Sequence, residues 1–458
     1  MNYPIKNSLI EKYNVPGPRY TSYPTVPYWE EASINTPIWK NSATVSFNES
    51  NVKEGISLYI HLPYCESLCT FCGCNKRITK NHRVEVPYIQ SLLQEWDLYL
   101  QLFKEKPIIK EIHLGGGTPT FFKPENLKSL IDNLFKRAKR HPEWEFSFEG
   151  HPNNTSQIHL QTLYDIGFRR VSFGVQDYDI EIQKVIHRNQ PFDQVAKVHH
   201  WAKEIGYTSI GHDLVFGLPK QTEDTITQTI EKTNLLKPDR IAFYSYAHVP
   251  WIKGNGQRGF DENDLPKDKE KRKLYEKGKT LLSEAGYVEI GMDHFALPSD
   301  SLFSATQHKT LHRNFMGYTH AKTQLMIGLG VSAISDSWYC FAQNHKTIEE
   351  YQTALSNNQL PIFRGHLLNE EDLVIRKHVL NIMCSLQTSW TTAELQFSDL
   401  PQTLEKLQEL EQDGILTINQ QQLQVKPEGI PFIRNICMAF DWRMLRNKPQ
   451  TQLFSMTI

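Results

Sequence analysis

Residues 57–76 of this 458-residue chain read SLYIHLPYCESLCTFCGCNK. The first part, SLYIHL, is a short apolar, β-rich run that is typical of a buried strand. It leads into a loop that carries four cysteines within ten residues: Cys65, Cys69, Cys72 and Cys74. In parallel α/β folds, ligands bind at the C-terminal ends of the strands, so this loop lies where a binding site is expected.

Five further runs have the same form, a β-rich stretch that ends in glycine, proline or a polar cluster: KEIHLGGGTPT (110–120), EFSFEGHP (145–152), RRVSFGVQDY (169–178), TSIGHDLVFGLP (208–219) and DRIAFYSYAHVP (239–250). Between them, apolar residues recur at helical intervals, as in residues 86–103, 124–138 and 194–206. This alternation predicts an α/β fold with six parallel strands whose polar ends collect on one rim. The pattern alone leaves open whether the sheet is doubly wound or a partial barrel.

The composition is that of a globular protein, with 39% hydrophobic and 22% charged residues and a net charge of −1. An anionic substrate would therefore need a local cluster of cations, and a global field for nucleic acid is excluded. No run of 18 apolar residues and no basic, then apolar N-terminal stretch occurs, so we expect a cytoplasmic protein without a membrane partner.

Three regions are expected. Residues 1–50 form an N-terminal extension that packs on the active site, residues 51–350 form the catalytic domain, and residues 351–458 form a small, mostly helical C-terminal domain of winged-helix type. Its segment LEKLQELEQDG (404–414) is acidic, which argues against a DNA-reading helix and favours a role in packing or as a lid.

The spacing of the first three cysteines, C-x3-C-x2-C, predicts that Cys65, Cys69 and Cys72 ligate a [4Fe–4S] cluster. Three thiolates from one tight loop can reach three corners of the cubane and leave the fourth iron without a protein ligand. That iron can chelate the amino and carboxylate groups of S-adenosylmethionine (SAM). The alternative is a structural zinc site made from all four cysteines, although zinc sites usually combine two separated pairs.

Cys74 exceeds the number of ligands that an open cluster needs. It is either a small buried apolar residue or a thiol that faces the substrate. The remaining cysteines, Cys340, Cys384 and Cys437, are scattered and are expected to lie in the core.

The chain closely resembles the oxygen-independent coproporphyrinogen III oxidases, a radical SAM family of haem biosynthesis. The resemblance rests on GPRYTSYPT (17–25), YIHLPYCESLCTFCGCNK, HLGGGTPT, GVQDY, DLVFGLPKQT, YAHVP, GMDHFA (291–296), HRNF (312–315) and IRNICM (433–438). It implies a partial (β/α)6 TIM-type barrel, one cluster and two SAM molecules in a monomer. It also implies a reaction that turns two propionates of coproporphyrinogen III into vinyl groups, giving protoporphyrinogen IX, with an electron donor and an acceptor that the sequence does not identify.

The resemblance also assigns residues. Cys65, Cys69 and Cys72 match its cluster ligands, and Cys74 and Tyr59 are catalytic candidates. The matched cofactor contacts are Tyr59, Phe71, Gly116, Gly117, Thr118, Glu149, Gln176, Arg188, Asp213, Ala247 and Ile334. Taken singly, such polar residues are more often structural, and glycine-rich strand ends often serve only close packing. One departure follows Glu149, where Glu149-Gly150-His151-Pro152 has His151 in place of an expected acidic residue.

A tetra-anionic macrocycle needs cations and a flat apolar slot. Our substrate candidates are Arg19, Tyr20, Tyr23, His294, His312 and Arg313, each of which could equally be a surface or capping residue. Two other functions are compatible with the three-cysteine motif. A haem chaperone of the related sister family carries the same cysteines but lacks PRYTSYP and the fourth cysteine, and a radical methyltransferase of another tetrapyrrole lacks the match at both ends.

Overall fold

The computed structural model describes residues 7–250, 256–257 and 259–457, which fold into two compact units. The sheet unit comprises Glu30–Ala285 and Ala321–Leu367, and the second unit comprises Met1–Trp29, Gly286–His320 and Leu368–Ile458. Each unit is therefore assembled from separate stretches of sequence. Across the described residues, no helix combines the length and the apolar character that crossing a membrane requires.

The six predicted strands form the centre of the sheet unit. They are β1 (Ile56–Leu62), β2 (Ile108–Gly116), β3 (Lys139–Gly150), β4 (Arg170–Gln176), β5 (Ser209–Phe216) and β6 (Arg240–Ser245). Neighbours in this series pair in parallel, which confirms the predicted parallel sheet. Their apolar residues, such as Leu58, Phe146 and Phe173, are fully buried, as expected for strands covered on both faces.

Four more strands extend the sheet beyond β1 in an order that the sequence pattern did not predict. Met326–Leu329 pairs with β1 in parallel, and Ile334–Asp336, Cys340–Asn344 and Ile362–Leu367 follow in antiparallel pairing. A small parallel pair, Tyr64–Cys65 with Arg77–Ile78, brackets the cysteine loop.

The helices of the sheet unit cover its strands. They are Thr36–Ser50, Glu85–Leu100, Pro124–Phe135, Gln157–Asp165, Ile180–Val185, Phe192–Ile205, Glu223–Leu236, Asp268–Glu284 and Ile348–Ser356, with short 3-10 turns at Glu31–Ser33, His82–Val84, Pro119–Phe121 and Glu262–Asp264. Local signals fix their ends. Ser156 caps Gln157–Asp165 by accepting from the N–H of His159, and Gly206 ends Phe192–Ile205 in a left-handed conformation.

The second unit is mostly helical. Its helices are Asn7–Tyr13, Ser301–Gln307, Glu370–Ser385, Leu400–Gln412, Ile433–Phe440 and Trp442–Arg446; its 3-10 turns are Val26–Tyr28, Glu394–Gln396 and Pro427–Phe432; its strands are Val288–Gly291, His294–Ala296, His312–Asn314, Gly317–Thr319, Gln387–Ser389, Leu416–Asn419 and Gln422–Val425. The hairpin expected after the acidic helix is present, because Leu416–Asn419 pairs with Gln422–Val425.

The units differ from the boundaries expected at residues 50 and 350. Helix Thr36–Ser50 belongs to the sheet unit, where Ser42 Oγ lies 2.7 Å from Ser337 Oγ. The segment Gly286–His320 belongs with the C-terminal region, where the hydroxyl of Tyr318 donates to the carbonyl of Met383 at 3.1 Å. Long-range packing of this kind leaves no mark in local composition, so the sequence could not reveal it.

Candidate active site

A cavity of about 290 Å³ opens at the C-terminal ends of the strands and is bounded by the cysteine loop. Its wall comprises Cys65, Glu66, Ser67, Cys69, Phe71, Cys72, Cys74, Lys76, Gly116, Gly117, Thr118, Pro119, Glu149, Gly150, His151, Asn154, Gly174, Gln176, Arg188, Asp213, Val215 and Tyr244. The polar ends of the strands thus collect at one rim, as the sequence predicted.

The cysteine loop is held by bonds to the main chain of residues 185–186 and by bonds within the loop itself. The N–H of Thr70 donates to the carbonyl of Ile186 at 3.1 Å, and its hydroxyl donates to that of Val185 at 3.0 Å. Within the loop, the ammonium of Lys76 donates to the carbonyls of Cys72 and Cys74 at 3.2 and 3.3 Å. These bonds fix the loop as a rigid wall of the cavity.

Each of the three predicted ligands lies on that wall. The Sγ of Cys65 is 3.2 Å from Thr118 Oγ1, and the guanidinium of Arg188 donates to the Sγ of Cys69 at 3.6 Å. In the part of the chain that the structure describes, no three His, Cys, Asp or Glu side chains are close enough to hold a single metal ion. A cubane cluster takes its thiolates at separate iron corners, so its three ligands do not have to meet at one metal ion.

The thiols differ in their acidity. A hydrogen bond from the thiol of Cys74 lowers the pKa of Cys72, and the same contact raises the pKa of Cys74 well above its usual value. Burial raises the pKa of Cys65 to about 11. Cys74 is exposed to the cavity, whereas Cys340, Cys384 and Cys437 are buried, as predicted for core residues.

Two carboxylates face the cysteine loop from β3 and β5, the strands on either side of β4. Asp213 on β5 accepts a hydrogen bond from the hydroxyl of Ser172 at 2.8 Å, and burial raises the pKa of Asp213 to about 7. Glu149 at the end of β3 lies 3.4 Å from Nε2 of His113, whose Nδ1 is 2.8 Å from Ser147 Oγ. The pair can bind ammonium or hydroxyl groups of a ligand.

Arg188 brings a positive charge to the same wall. One of its terminal nitrogens donates to the carbonyl of Gly174 at 2.5 Å, whereas its Nε is buried and has no partner among the described residues. Gln176, at the end of β4, has a left-handed backbone with φ of 69°, which is uncommon outside glycine and often marks a binding site. His151 lies nearby, and burial together with Arg188 lowers its pKa.

The glycines of HLGGGTPT are required by close packing. A Cβ on Gly116 would lie 2.8 Å from the ring of His61, and one on Gly117 would lie 2.6 Å from the carbonyl of Pro63. Gly116 also has φ of 115°. Both glycines therefore let β2 approach the entry of the cysteine loop while their backbone lines the cavity.

The other four predicted cofactor contacts occupy different places. Phe71 lines the cavity, and its carbonyl and that of Ala247 both accept from the side chain of Gln257, at 3.1 and 3.0 Å. Tyr59 lies behind the wall, with its hydroxyl 3.0 Å from Nδ1 of His61. Ile334 lies on the sheet extension, opposite Gln343, and neither it nor Ala247 is part of the cavity wall.

The six substrate candidates all lie in the second unit. Tyr20 and Tyr23 are each 2% exposed and belong to its core, where the hydroxyl of Tyr20 donates to Asp441 at 3.1 Å. Burial thus gives both tyrosines a packing role rather than a free ring face. Arg19 forms an ion pair with Asp293.

The remaining candidates of this unit lie on short strands. Arg313 donates to the carbonyls of Arg19 and Tyr20, each at 3.3 Å. The Nδ1 of His294 is 2.9 Å from the carbonyl of Met292, and His312 pairs with Thr319 across a hairpin.

Sequence reasoning missed several residues of the site. His61 is 5% exposed and its Nε2 contacts the carbonyl of Asn75 at 2.9 Å, so it links β1 to the cysteine loop. Lys76, Asn154 and Tyr244 line the cavity. A signal was available for His61 and His113, since each is a polar residue inside a buried strand pattern, YIHL and EIHL.

Comparison with known proteins agrees with this geometry. The family model of the Radical SAM superfamily matches residues 59–233. An oxygen-independent coproporphyrinogen III oxidase of Helicobacter pylori is 39% identical, covering 94% of this chain and 95% of the relative; that of Escherichia coli is 36% identical, covering 98% of each. The solved structure of coproporphyrinogen III oxidase (HemN) from Escherichia coli, described as a radical SAM enzyme, has a TM-score of 0.89 at 34% identity, covering 96% of this chain and 100% of that one. The chain belongs to the oxygen-independent coproporphyrinogen III oxidase family of radical SAM proteins.

Proposed function

We propose that this protein is an oxidoreductase of haem biosynthesis that oxidises coproporphyrinogen III without oxygen. It decarboxylates two propionate side chains to vinyl groups and gives protoporphyrinogen IX. One observation carries the proposal: the three-cysteine loop faces Glu149, Arg188 and Asp213 across one cavity, in a chain that aligns with oxidases of this name over 94–98% of its length.

The donor set fits an open [4Fe–4S] cluster with SAM. Three thiols line one side of the cavity, and the cations of Arg188 and Lys76 offset the negative charge that a thiolate-bound cluster carries. The buried Nε of Arg188 has a donor to spare for a carboxylate. When bound, the cluster supplies an electron to SAM, whose cleavage supplies a 5′-deoxyadenosyl radical.

The residues opposite the cysteines position SAM. Arg188 binds its carboxylate, and Glu149 and Asp213 bind its ammonium group or ribose hydroxyls. The backbone of Gly116, Gly117 and Thr118 lies against its methionine part. We extend the proposal to Tyr59, Phe71, Gln176, Ala247 and Ile334, and to a second SAM molecule in the same enzyme.

Cys74 is the proposed active-site thiol. It lines the cavity and is exposed, and three other cysteines already suffice for the cluster, so the thiol that here hydrogen-bonds to Cys72 is available to the substrate. Tyr59 supports the same site through its contact with His61.

The substrate's four carboxylates need cations. We propose Arg19, Arg313, His294 and His312 for this role, with Tyr20 and Tyr23 supporting their segment from the core. Supporting this role, Arg19 and Arg313 are charge neighbours of the buried Arg434, with Asp293 as a nearby carboxylate, so positive charge predominates there.

Finer features of the molecule belong to the same proposal. Six parallel strands in chain order support a partial (β/α)6 barrel, and the hairpin after Leu400–Gln412 supports a winged-helix-like region. The organisation into an N-terminal extension (1–50), a catalytic domain (51–350) and a C-terminal domain (351–458) remains a proposal for function. We further propose a cytoplasmic monomer that uses no nucleic acid or membrane and exchanges electrons with a separate donor and acceptor.

Anaerobic reconstitution with iron and sulfide tests the function. The enzyme, given a reductant, SAM and coproporphyrinogen III, is expected to form 5′-deoxyadenosine and, after oxidation, protoporphyrin. Absence of both products from a sample with full iron content would overturn the proposal.

A further inference from the structure

The cavity accounts for SAM but not for the route by which electrons reach it. The proposed reaction consumes an electron from outside the protein, so some surface near the cysteine loop must receive a donor. The loop's outer face is formed by residues 76–83, KRITKNHR, which we name the basic edge. It contains Lys76, Arg77, Lys80 and Arg83 and no acidic residue, in a chain whose net charge is −1.

The basic edge is bonded directly to the first cluster ligand. Tyr64–Cys65 pairs in parallel with Arg77–Ile78, so that Cys65 lies opposite Ile78. The N–H of Thr79 donates to the carbonyl of Cys65 at 2.9 Å, and the N–H of Arg77 donates to that of Pro63 at 2.8 Å. A single layer of main chain therefore separates Cys65 from the outer surface.

That outer surface is open to solvent. Arg77, Ile78, Lys80 and Arg83 are exposed, and the side chain of Ile78 is 41% exposed. Three contacts with carboxylates lie at its margins: Arg77 with Glu349 at 3.4 Å, and His82 with Glu66 at 3.7 Å and with Glu85 at 2.7 Å. Of the four Lys and Arg side chains on the edge, Arg77 forms the pair with Glu349 and Lys76 donates to the carbonyls of Cys72 and Cys74. Lys80 and Arg83 take part in none of these contacts. An exposed apolar residue within a basic rim is typical of a surface that docks a protein transiently.

We propose that the basic edge docks a small acidic protein with a one-electron redox centre. The inference rests on the proposed function, because it presupposes a bound cluster that receives the electron. On docking, the reduced carrier loses one electron and the cluster gains it; no bond forms and no proton moves. Opposite charge raises the association rate of such weak, short-lived complexes, and salt lowers it.

The test compares two double variants of equal charge change. Lys80→Glu with Arg83→Glu reverses the basic edge. The control, Lys104→Glu with Lys106→Glu, reverses two exposed lysines in the loop before β2, at the opposite end of that strand from the cavity. The probe is reduced flavodoxin, an acidic flavin protein. A photoreduced, uncharged 5-deazaflavin serves as a donor that needs no docking.

Two readouts are measured on the reconstituted protein: the Kd for flavodoxin and the second-order rate of cluster reduction. We expect the edge variant to raise the Kd and lower the rate about tenfold or more at low salt, whereas the control stays within about twofold. Reduction by deazaflavin and the iron content should be equal in all three proteins. Equal losses in both variants, or none in either, would overturn the proposal.

A salt titration on the unaltered enzyme keeps the test decisive if the edge variant folds poorly. The flavodoxin rate should fall by about tenfold between 20 and 300 mM salt, and a flat rate overturns the proposal. If the edge variant instead raises the KM for coproporphyrinogen with deazaflavin as donor, the edge binds substrate and the proposal is wrong. Failure of the proposed function looks different: flavodoxin then reduces the cluster but no protoporphyrin forms.

Discussion

Arg188 in the cavity and Arg434 in the second unit differ in how many of their nitrogens donate hydrogen bonds to the protein. Arg434, 5% exposed, donates to the carbonyls of Gly17, Pro18, Ser455 and Met456. Arg188 donates to Cys69 and Gly174, and its buried Nε has no partner among the described residues. A guanidinium whose three nitrogens all donate to the protein stabilises the fold, whereas one whose Nε has no protein partner can donate to a ligand.

The largest expected effect comes from removing one of the three proposed cluster ligands. Cys65→Ser should abolish protoporphyrin formation and lower the iron content after reconstitution, because one cluster corner loses its thiolate. Cys340→Ser, at a buried core cysteine, is the matched control and should keep its iron. Full iron content with full turnover in the Cys65 variant would exclude Cys65 as a ligand.

Arg434→Met tests the structural half of the comparison. It leaves four carbonyls without their donor in a buried place, so we expect a loss of about 3 kcal/mol in the free energy of unfolding. Urea denaturation measures it. An unfolding free energy equal to that of the unaltered protein would show that Arg434 does not hold the chain ends.

Arg188→Met tests the other half. Its unfolding free energy should change little, because the carbonyl of Gly174 keeps its hydrogen bond from the side chain of Gln190 at 3.2 Å. The Kd for SAM, measured by calorimetry on the reconstituted protein, should rise about 10- to 100-fold, as for a lost charge-assisted hydrogen bond. Arg188→Lys keeps the charge but not the forked guanidinium, so its Kd for SAM should lie between those of the unaltered protein and Arg188→Met. A large loss of stability with unchanged SAM binding would reverse the assignment of the two arginines.

Asp213 is expected to make the unfolding free energy depend on pH. Its pKa is about 7 in the folded protein, against 3.8 for an ordinary aspartate, so the folded state binds the proton more tightly. Unfolding free energy is therefore lost as pH rises from about 4 to 7. Asp213→Asn should remove this loss and be more stable than the unaltered protein by up to about 4 kcal/mol above pH 7.

The measurement is a series of urea unfolding curves between pH 4 and 8. Glu204→Gln, at an exposed carboxylate, should follow the unaltered protein throughout. If Asp213→Asn also runs parallel to it, the carboxyl of Asp213 is not destabilised by burial.

The smallest effect concerns the second unit. Tyr20→Phe removes one buried hydrogen bond, to Asp441, and should cost about 1 kcal/mol of unfolding free energy with no change in the KM for coproporphyrinogen. Tyr28→Phe loses an exposed hydrogen bond to Asn447 and should cost less than about 0.5 kcal/mol. A raised KM in the Tyr20 variant with unchanged stability would make Tyr20 a substrate contact.

Local patterns predicted much of the sheet unit. The runs around β1 to β6 have apolar strands and polar ends, so their parallel pairing and their common rim followed from the sequence. Glu149, Arg188 and Asp213 were assigned as cofactor contacts by the family resemblance, and Arg188 lies outside the six runs. The sheet extension through Ile362–Leu367 did not follow, because its first strand, Met326–Leu329, pairs in parallel with β1, which is remote in the chain. The second unit escaped for the same reason, and the burial of Tyr20 and Tyr23 is set by residues beyond position 370.

The clamp around Arg434 has a consequence for synthesis on the ribosome. Pro16 forms a β-bridge with Met456, and the N–H of Val15 donates to the hydroxyl of Thr457 at 3.2 Å, across a separation of 442 residues. Residues 15–18 emerge first but cannot meet these partners until almost all of the chain has been translated. The sheet unit is fully synthesised once Leu367 has been added, and it can begin to fold while translation continues. Residues 15–18 therefore stay without their native partners while much of the nascent chain is already structured.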